Sequence, residues 1–131
     1  MLNREERLEK WIENDISIIS PDLLVIGRQV ITDFGGAIDL LCLDRRGDVV
    51  IIELKKDRTP REVVAQVLDY ASWIKELSSE RIIEIANEYL GNEEPLEEVF
   101  KRKFGFDLPE ILNENHKMII VASEIAVLRG L

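Results

Sequence analysis

A chain of 131 residues with a formal net charge of −9, 33% charged residues and one cysteine has the size of one domain. Its composition is not that of a disordered segment, and no internal disulfide can form. The longest apolar runs, such as VVII and MIIVA, are too short to cross a membrane, and the lone Cys42 suits a reducing cytoplasm. The acidic balance excludes nucleic-acid binding through bulk charge, so any such binding must rest on local groups.

Residues 3–14 begin with charges rather than the apolar stretch of a signal peptide. They place Leu8, Trp11 and Ile12 on one side, which predicts an amphipathic helix. DLLVIGRQVI predicts a strand, TDFGG a turn, AIDLLCLD a second strand, DRRGD a turn and VVIIELK a third strand. Three strands joined by short glycine-bearing turns form an antiparallel meander. TPRE, Thr59 to Glu62, is a capping box with proline at the first helical position and predicts a helix running to Leu77. A second helix, Ser79 to Leu90, stops at Gly91. A third, EEPLEEVFKRKF, is acidic at its start and basic at its end and stops at Gly105. HKMIIVASE predicts a last strand, reached by a helical crossover and therefore parallel to a neighbour.

The expected fold is α/β: a mixed β-sheet with an antiparallel three-stranded meander plus a parallel strand, flanked by helices. The chain reads as a single domain over residues 1–131 without internal repeats. It closes with EIAVLRGL soon after the last expected strand, where an open sheet edge would favour a homodimer.

Glu53 and Lys55 interrupt the most apolar strand. If the second hairpin turns at RRG, Asp44 pairs with Asp48 and Asp39 falls opposite Glu53; alternation puts Lys55 on the same face as Glu53. Opposed carboxylates destabilise a sheet and are costly to bury, so a cation between them is expected. Oxygen donors favour Mg²⁺ or Mn²⁺. The alternative is a strand-end salt bridge between Glu53 and Lys55, with Asp39 a polar residue near the turn. On the following helix, Gln66 and Tyr70 are four apart beside the apolar stripe and need polar partners.

Lys56, Arg58 and Arg61 lie at the amino end of that helix. With Arg28, Arg45 and Arg46 they are candidates for a basic rim that binds phosphate; ordinary solvated charge is the alternative. Trp11, Trp73 and Tyr89 read as packing residues and Cys42 as a small core residue. His116 has no second histidine or cysteine to share a metal and reads as a strand-start residue.

GGAIDLL, IIELKKD and QVLDY, in the order Asp39, Glu53-Leu54-Lys55, then Gln66 and Tyr70, resemble the PD-(D/E)XK nuclease superfamily in its RecB-like branch. That resemblance implies a restriction-endonuclease-like core. The longer run from LLVIGRQV to LDYASW is similar to the catalytic domain of NucS-like endonucleases, with the strong match over about Arg4 to Trp73.

The resemblance implies that Asp39, Glu53 and the backbone carbonyl of Leu54 ligate Mg²⁺. Lys55 would orient the attacking water and stabilise charge on phosphorus, and Gln66 and Tyr70 would position the substrate or the metal's surroundings. A glutamate of the first helix often joins them; Glu5 is the one expected, with Glu9 and Glu13 on a solvated face. DNA that is branched, mismatched or single-stranded is the implied substrate, with RNA a lesser option. The competing reading is a nuclease-like module that binds nucleic acid or a protein partner without cutting. Relatives continue past the last strand, so a C-terminal extension is expected to be lacking here.

Overall fold

The structure, a computed structural model, describes residues 4–54, 60–121 and 125–129, with side chains for residues 6–54 and 61–121. The meander forms where the turn residues predict it. Strands β1 (Leu23–Ile31), β2 (Ala37–Asp44) and β3 (Val49–Leu54) pair antiparallel in succession. Helices α2 (Pro60–Lys75), α3 (Ser79–Tyr89) and α4 (Leu96–Phe104) then carry the chain over to β4 (Lys117–Val121). β4 lies parallel to β3, with Ile52 beside Ile119 and Leu54 beside Val121. Helix α1 (Arg4–Asn14) and a short 3-10 turn, Ile16–Ile18, precede the sheet.

The sheet has one strand more than expected. EIAVLRGL contains β5 (Ile125–Arg129), antiparallel to β4, so the sheet has five strands in the order of the chain. β4 is described from Lys117 to Val121, and the rest of the expected strand, to Glu124, lies outside the described residues. The edges of the sheet are therefore β1 and β5.

Local chemistry sets the element ends. The Ser78 side chain accepts the Arg81 N–H and caps α3, while Gly105, at φ 83°, ends α4 in a left-handed turn. In the β2–β3 turn Asp44 Oδ1 accepts the Arg46 and Asp48 N–H groups at 2.9 and 3.0 Å, and Asp44 N donates to Asp48 O at 2.9 Å. Lys117 Nζ, 3.2 Å from Asp44 Oδ2, neutralises that buried acid.

Strands β2 and β3 are buried on both faces, and two apolar clusters result. On one side Leu41, Leu43, Val49 and Ile51 meet Trp73 and Ile74 of α2, Ile82 of α3 and Phe100 of α4. On the other, Leu40, Cys42, Val50 and Ile52 meet Ile12 of α1 and Ile16. The result is three layers, with α1 on one face and α2 to α4 on the other. Cys42 is fully buried and its thiol is pushed far above its ordinary range by that burial, as a core residue and not a nucleophile. Among the described residues no helix is long and apolar enough to cross a membrane.

Ile51 is wholly enclosed in the larger cluster. Truncation to alanine in urea denaturation is expected to cost about 2–5 kcal/mol. Val64→Ala on the exposed side of α2 should stay within about 0.5 kcal/mol of the parent.

Candidate active site at the ends of β2 and β3

Asp39 and Glu53 sit at the start of β2 and the end of β3. The register carries Leu40 opposite Ile52 and Leu41 opposite Ile51, which continues to Asp39 opposite Glu53. Two hydrogen bonds tie the pair. Asp39 N donates to Glu53 Oε1 at 3.1 Å, and Leu54 N donates to Asp39 Oδ2 at 2.8 Å. Each carboxylate thus takes a backbone donor from the other's strand. Glu53 is 1% exposed, and such a donor is what a buried carboxylate requires.

The first helix turns Glu9, expected on a solvated face, toward the sheet. Trp11, read as core, is 60% exposed, whereas Glu9 is 5% exposed. The buried face of α1 carries Glu9 and Ile12, three apart, and continues four residues on to Ile16 of the 3-10 turn, leaving the large apolar Trp11 outside it. Glu9 and Glu13, expected on a solvated face, both turn toward β1. The Glu5 side chain lies outside the described residues.

Glu9 is held by two consecutive residues of β1. Arg28 Nε donates to its Oε1 at 2.7 Å, and Gln29 Nε2 donates to Oε1 and Oε2 at 3.0 and 3.1 Å. The same Gln29 nitrogen donates to Asp39 Oδ1 at 3.0 Å. Arg28 also reaches Glu13 at 3.4 Å, and Glu13 accepts the Tyr89 hydroxyl at 2.6 Å. A chain of polar contacts therefore runs from Tyr89 on α3 through Glu13, Arg28, Glu9 and Gln29 to Asp39. Burial, then the hydrogen bond to Glu13, pushes the Tyr89 phenol well above its usual value, which keeps it a donor. The Glu9 hydrogen bond raises the Arg28 guanidinium further still.

Gln29 carries a backbone signal that the sequence does not show. Its φ is 50°, in the middle of a strand whose register shifts between Val25 and Gly27. Left-handed backbone costs a residue with a Cβ about 1–2 kcal/mol. The other described non-glycine residues with positive φ are Asn92 and Asn113, a residue type that tolerates it through local hydrogen bonds.

The remaining expected site residues divide. Tyr70 OH donates to Ala37 O at 2.9 Å and accepts the Gln66 amide at 2.9 Å, so Tyr70, its hydroxyl held by Gln66, meets the sheet two positions before Asp39 and pins α2 to it. Arg61 is exposed on the first turn of α2. Lys55, Lys56 and Arg58 lie outside the described residues. Arg28, expected in a phosphate-binding rim, is instead committed to Glu9 and Glu13. Arg45 and Arg46 occupy the β2–β3 turn, six strand residues from Asp39 and so ~20 Å away at about 3.3 Å per residue. Arg45 pairs there with Asp22 and lies over the Phe104 ring. The basic rim thus loses three of its expected members.

Among the described residues no three or more acidic, histidine or cysteine side chains stand close enough together to hold a metal by themselves. Asp39 and Glu53, with the Leu54 carbonyl at the strand end, form an all-oxygen set without nitrogen or sulfur. That fits Mg²⁺ or Mn²⁺, which bind through one or two carboxylates and keep waters.

The family model described as the endonuclease NucS C-terminal domain matches residues 4–86. The chain belongs to that family. The match to the NucS C-terminal domain runs from α1 into α3 and contains Glu9, Gln29, Asp39, Glu53, Gln66 and Tyr70. A solved structure described as an EndoMS–dsDNA2 complex aligns over 84% of this chain at 18% identity and a TM-score of 0.44. The chain spans about half, 48%, of that protein's length. No curated protein matches the chain.

The Arg28–Glu9 pair yields a test. Glu9 is nearly enclosed, and removing its cation leaves a buried charge uncompensated. Because Arg28 is itself about one-third exposed, Arg28→Met is expected to cost about 2 kcal/mol in urea denaturation, less than the loss of a partner from a fully buried pair. A stability unchanged by the substitution would return Arg28 to the phosphate-binding rim.

Proposed function

We propose that this NucS C-terminal-type domain is a divalent-cation-dependent DNA endonuclease module of the PD-(D/E)XK type, in its RecB-like branch. The observation that carries the reading is the locked carboxylate pair: Asp39 and Glu53, each accepting a backbone N–H from the opposite strand, at the end of an otherwise apolar sheet. Membership of a family described as an endonuclease domain supports it.

In this reading Asp39, Glu53 and the Leu54 carbonyl hold Mg²⁺ or Mn²⁺, and Glu9 takes the place expected of Glu5. A bound cation supplies Lewis-acid polarisation of the phosphate and a more acidic water. Lys55, two residues after Glu53 in the sequence, would orient the attacking water and stabilise the developing charge on phosphorus. Tyr70, held by Gln66, fixes α2 against Ala37, and Arg61 on the first turn of that helix, with Lys56 and Arg58 before it in the sequence, would supply contacts to the DNA backbone. The substrate is DNA with a branch, mismatch or single-stranded stretch, and RNA is the weaker alternative.

One observation favours the second reading, a module that binds without cutting. With a net charge of −9 and Arg28 neutralised by two glutamates, little positive surface is left for unaided DNA binding.

Two measurements separate these readings. Mg²⁺ or Mn²⁺ should raise the melting temperature, since the cation binds the folded state alone. Asp39→Asn should lose that response without gaining stability in the metal-free state, because its amide nitrogen would face a donor, either the Gln29 amide or the Leu54 N–H. Unchanged melting in both proteins would favour the salt-bridge alternative.

Cleavage of labelled branched, mismatched, single-stranded and duplex DNA and of RNA, with either metal, is the direct assay. Lys55→Ala is expected to abolish cutting while leaving DNA affinity within a few-fold of the parent, because a transition-state contact lowers turnover and not ground-state binding. Arg58→Ala and Arg61→Ala should instead weaken binding and flatten its salt dependence. Binding without cleavage of any substrate would establish the module reading.

A further inference from the structure

Gln29 stands out on two independent grounds: its backbone is left-handed inside a strand, and its amide joins two acids. An ionised carboxylate only accepts hydrogen bonds, so the end of the Gln29 amide that faces Glu9 and Asp39 must be the nitrogen. That nitrogen has two hydrogens. One is shared by the two Glu9 oxygens and the other goes to Asp39 Oδ1, at 3.0–3.1 Å and 3.0 Å. Both of its acceptors among the described residues are acids, so one amide nitrogen holds two negative side chains together.

The backbone explains how the amide gets there. The register shift between Val25 and Gly27 and the φ of 50° at Gln29 together re-aim the strand immediately before this contact. Bulges and strained residues of this kind gather beside functional sites, where the surroundings over-determine them. The two flanking residues show the effect. Arg28 meets Glu9 on the α1 side, while Val30 packs against the larger cluster on the α2–α4 side, leaving the Gln29 side chain directed at the acids between them. A strand of regular conformation would not need the strain, and a merely structural glutamine on an edge strand would not be expected to adopt it.

We propose that Gln29 is a positioning residue: its amide carries Glu9 to Asp39 and orients the Asp39 carboxylate, and thereby sets the affinity of the acidic cluster for a divalent cation. The inference rests on the cation-dependent reading above and deepens it. Asp39 then has both oxygens fixed, Oδ1 by Gln29 and Oδ2 by the Leu54 N–H. Each oxygen keeps a lone pair for a cation. Partners of metal-binding carboxylates that act in this way change metal affinity by about ten- to a hundredfold when removed.

The test is Mn²⁺ titration calorimetry on the intact chain and on Gln29→Gly, Glu9→Gln and the double variant. Glycine accepts φ 50° without a Cβ clash, so Gln29→Gly removes the amide's hydrogen bonds to Glu9 and Asp39 without adding backbone strain. Its Mn²⁺ affinity should fall by about tenfold or more. If Gln29 acts through Glu9, the double variant should bind no more weakly than the weaker single variant, a non-additivity that a general loss of rigidity would not produce.

Gln29→Asn keeps the amide and tolerates the backbone but is one methylene too short to span both acids. It should show the same loss, and it preserves the test should the glycine variant fold poorly. Parent-like affinity in the variants, fully additive losses, or tighter binding by Gln29→Gly (an amide that competes with the cation) would each overturn the proposal. An absence of binding by the parent would overturn the cation reading itself, and with it this inference.

Discussion

A carboxylate at the end of a strand buried on both faces is the constraint around which this domain is arranged. Glu53 follows four fully enclosed aliphatic residues and shares their enclosure, where an ionised acid without donors would cost several kcal/mol on the order of the penalties seen for buried polar groups. The Asp39 N–H reaches across to it, and Asp39 in turn takes the Leu54 N–H. Each acid occupies a donor that would otherwise need a partner at the fraying end of the ladder. The pair therefore ends the β2–β3 ladder and builds the site with the same atoms.

Charge accounting extends the same logic outward. Glu9 and Glu13 are drawn in from α1 because Arg28 stands beneath them, and Tyr89 reaches Glu13 from the opposite layer. Positive charge that looked available for a polyanion is instead paired with acids inside the fold. The opposite end of the sheet solves a similar problem differently. There Asp44 and Asp48 are satisfied by turn N–H groups, Lys117 and the Asn115 N–H, all belonging to a tight turn and its neighbouring strand. Buried acids at that end stabilise a turn; those at the Asp39 end are held by groups from three separate elements.

Much of this was legible because strands obey integer arithmetic. Once RRG fixed the turn, pairing Asp44 with Asp48 placed Asp39 against Glu53, and every intervening pair follows. The helix was less legible because its period is not an integer. A single large residue, Trp11, shifted the apparent apolar face and put Glu9 on the solvated side. Arg28 looked like surface charge because its partners come from a helix 15 and 19 residues earlier, a contact no local pattern encodes. Gln29 has no sequence signal at all, since its left-handed backbone is imposed by the surrounding fold and not by its own preference. β5 was missed because IAVL is brief and the segment before it lacks the glycine or proline that announces a hairpin.

The agreement between strand order and chain order bears on how the molecule is made. Glu9, Arg28, Gln29, Asp39 and Glu53 all come from the segment that ends with β3, whose pairings are successive hairpins of short loop. The parallel β3–β4 ladder instead joins positions 67 apart, as in Val50 with Lys117, and needs three helices to be traversed first. Loop-closure entropy delays such non-local pairing relative to hairpins. The acidic site can therefore acquire its connectivity early in folding, with the crossover locking the sheet behind it as the slow step.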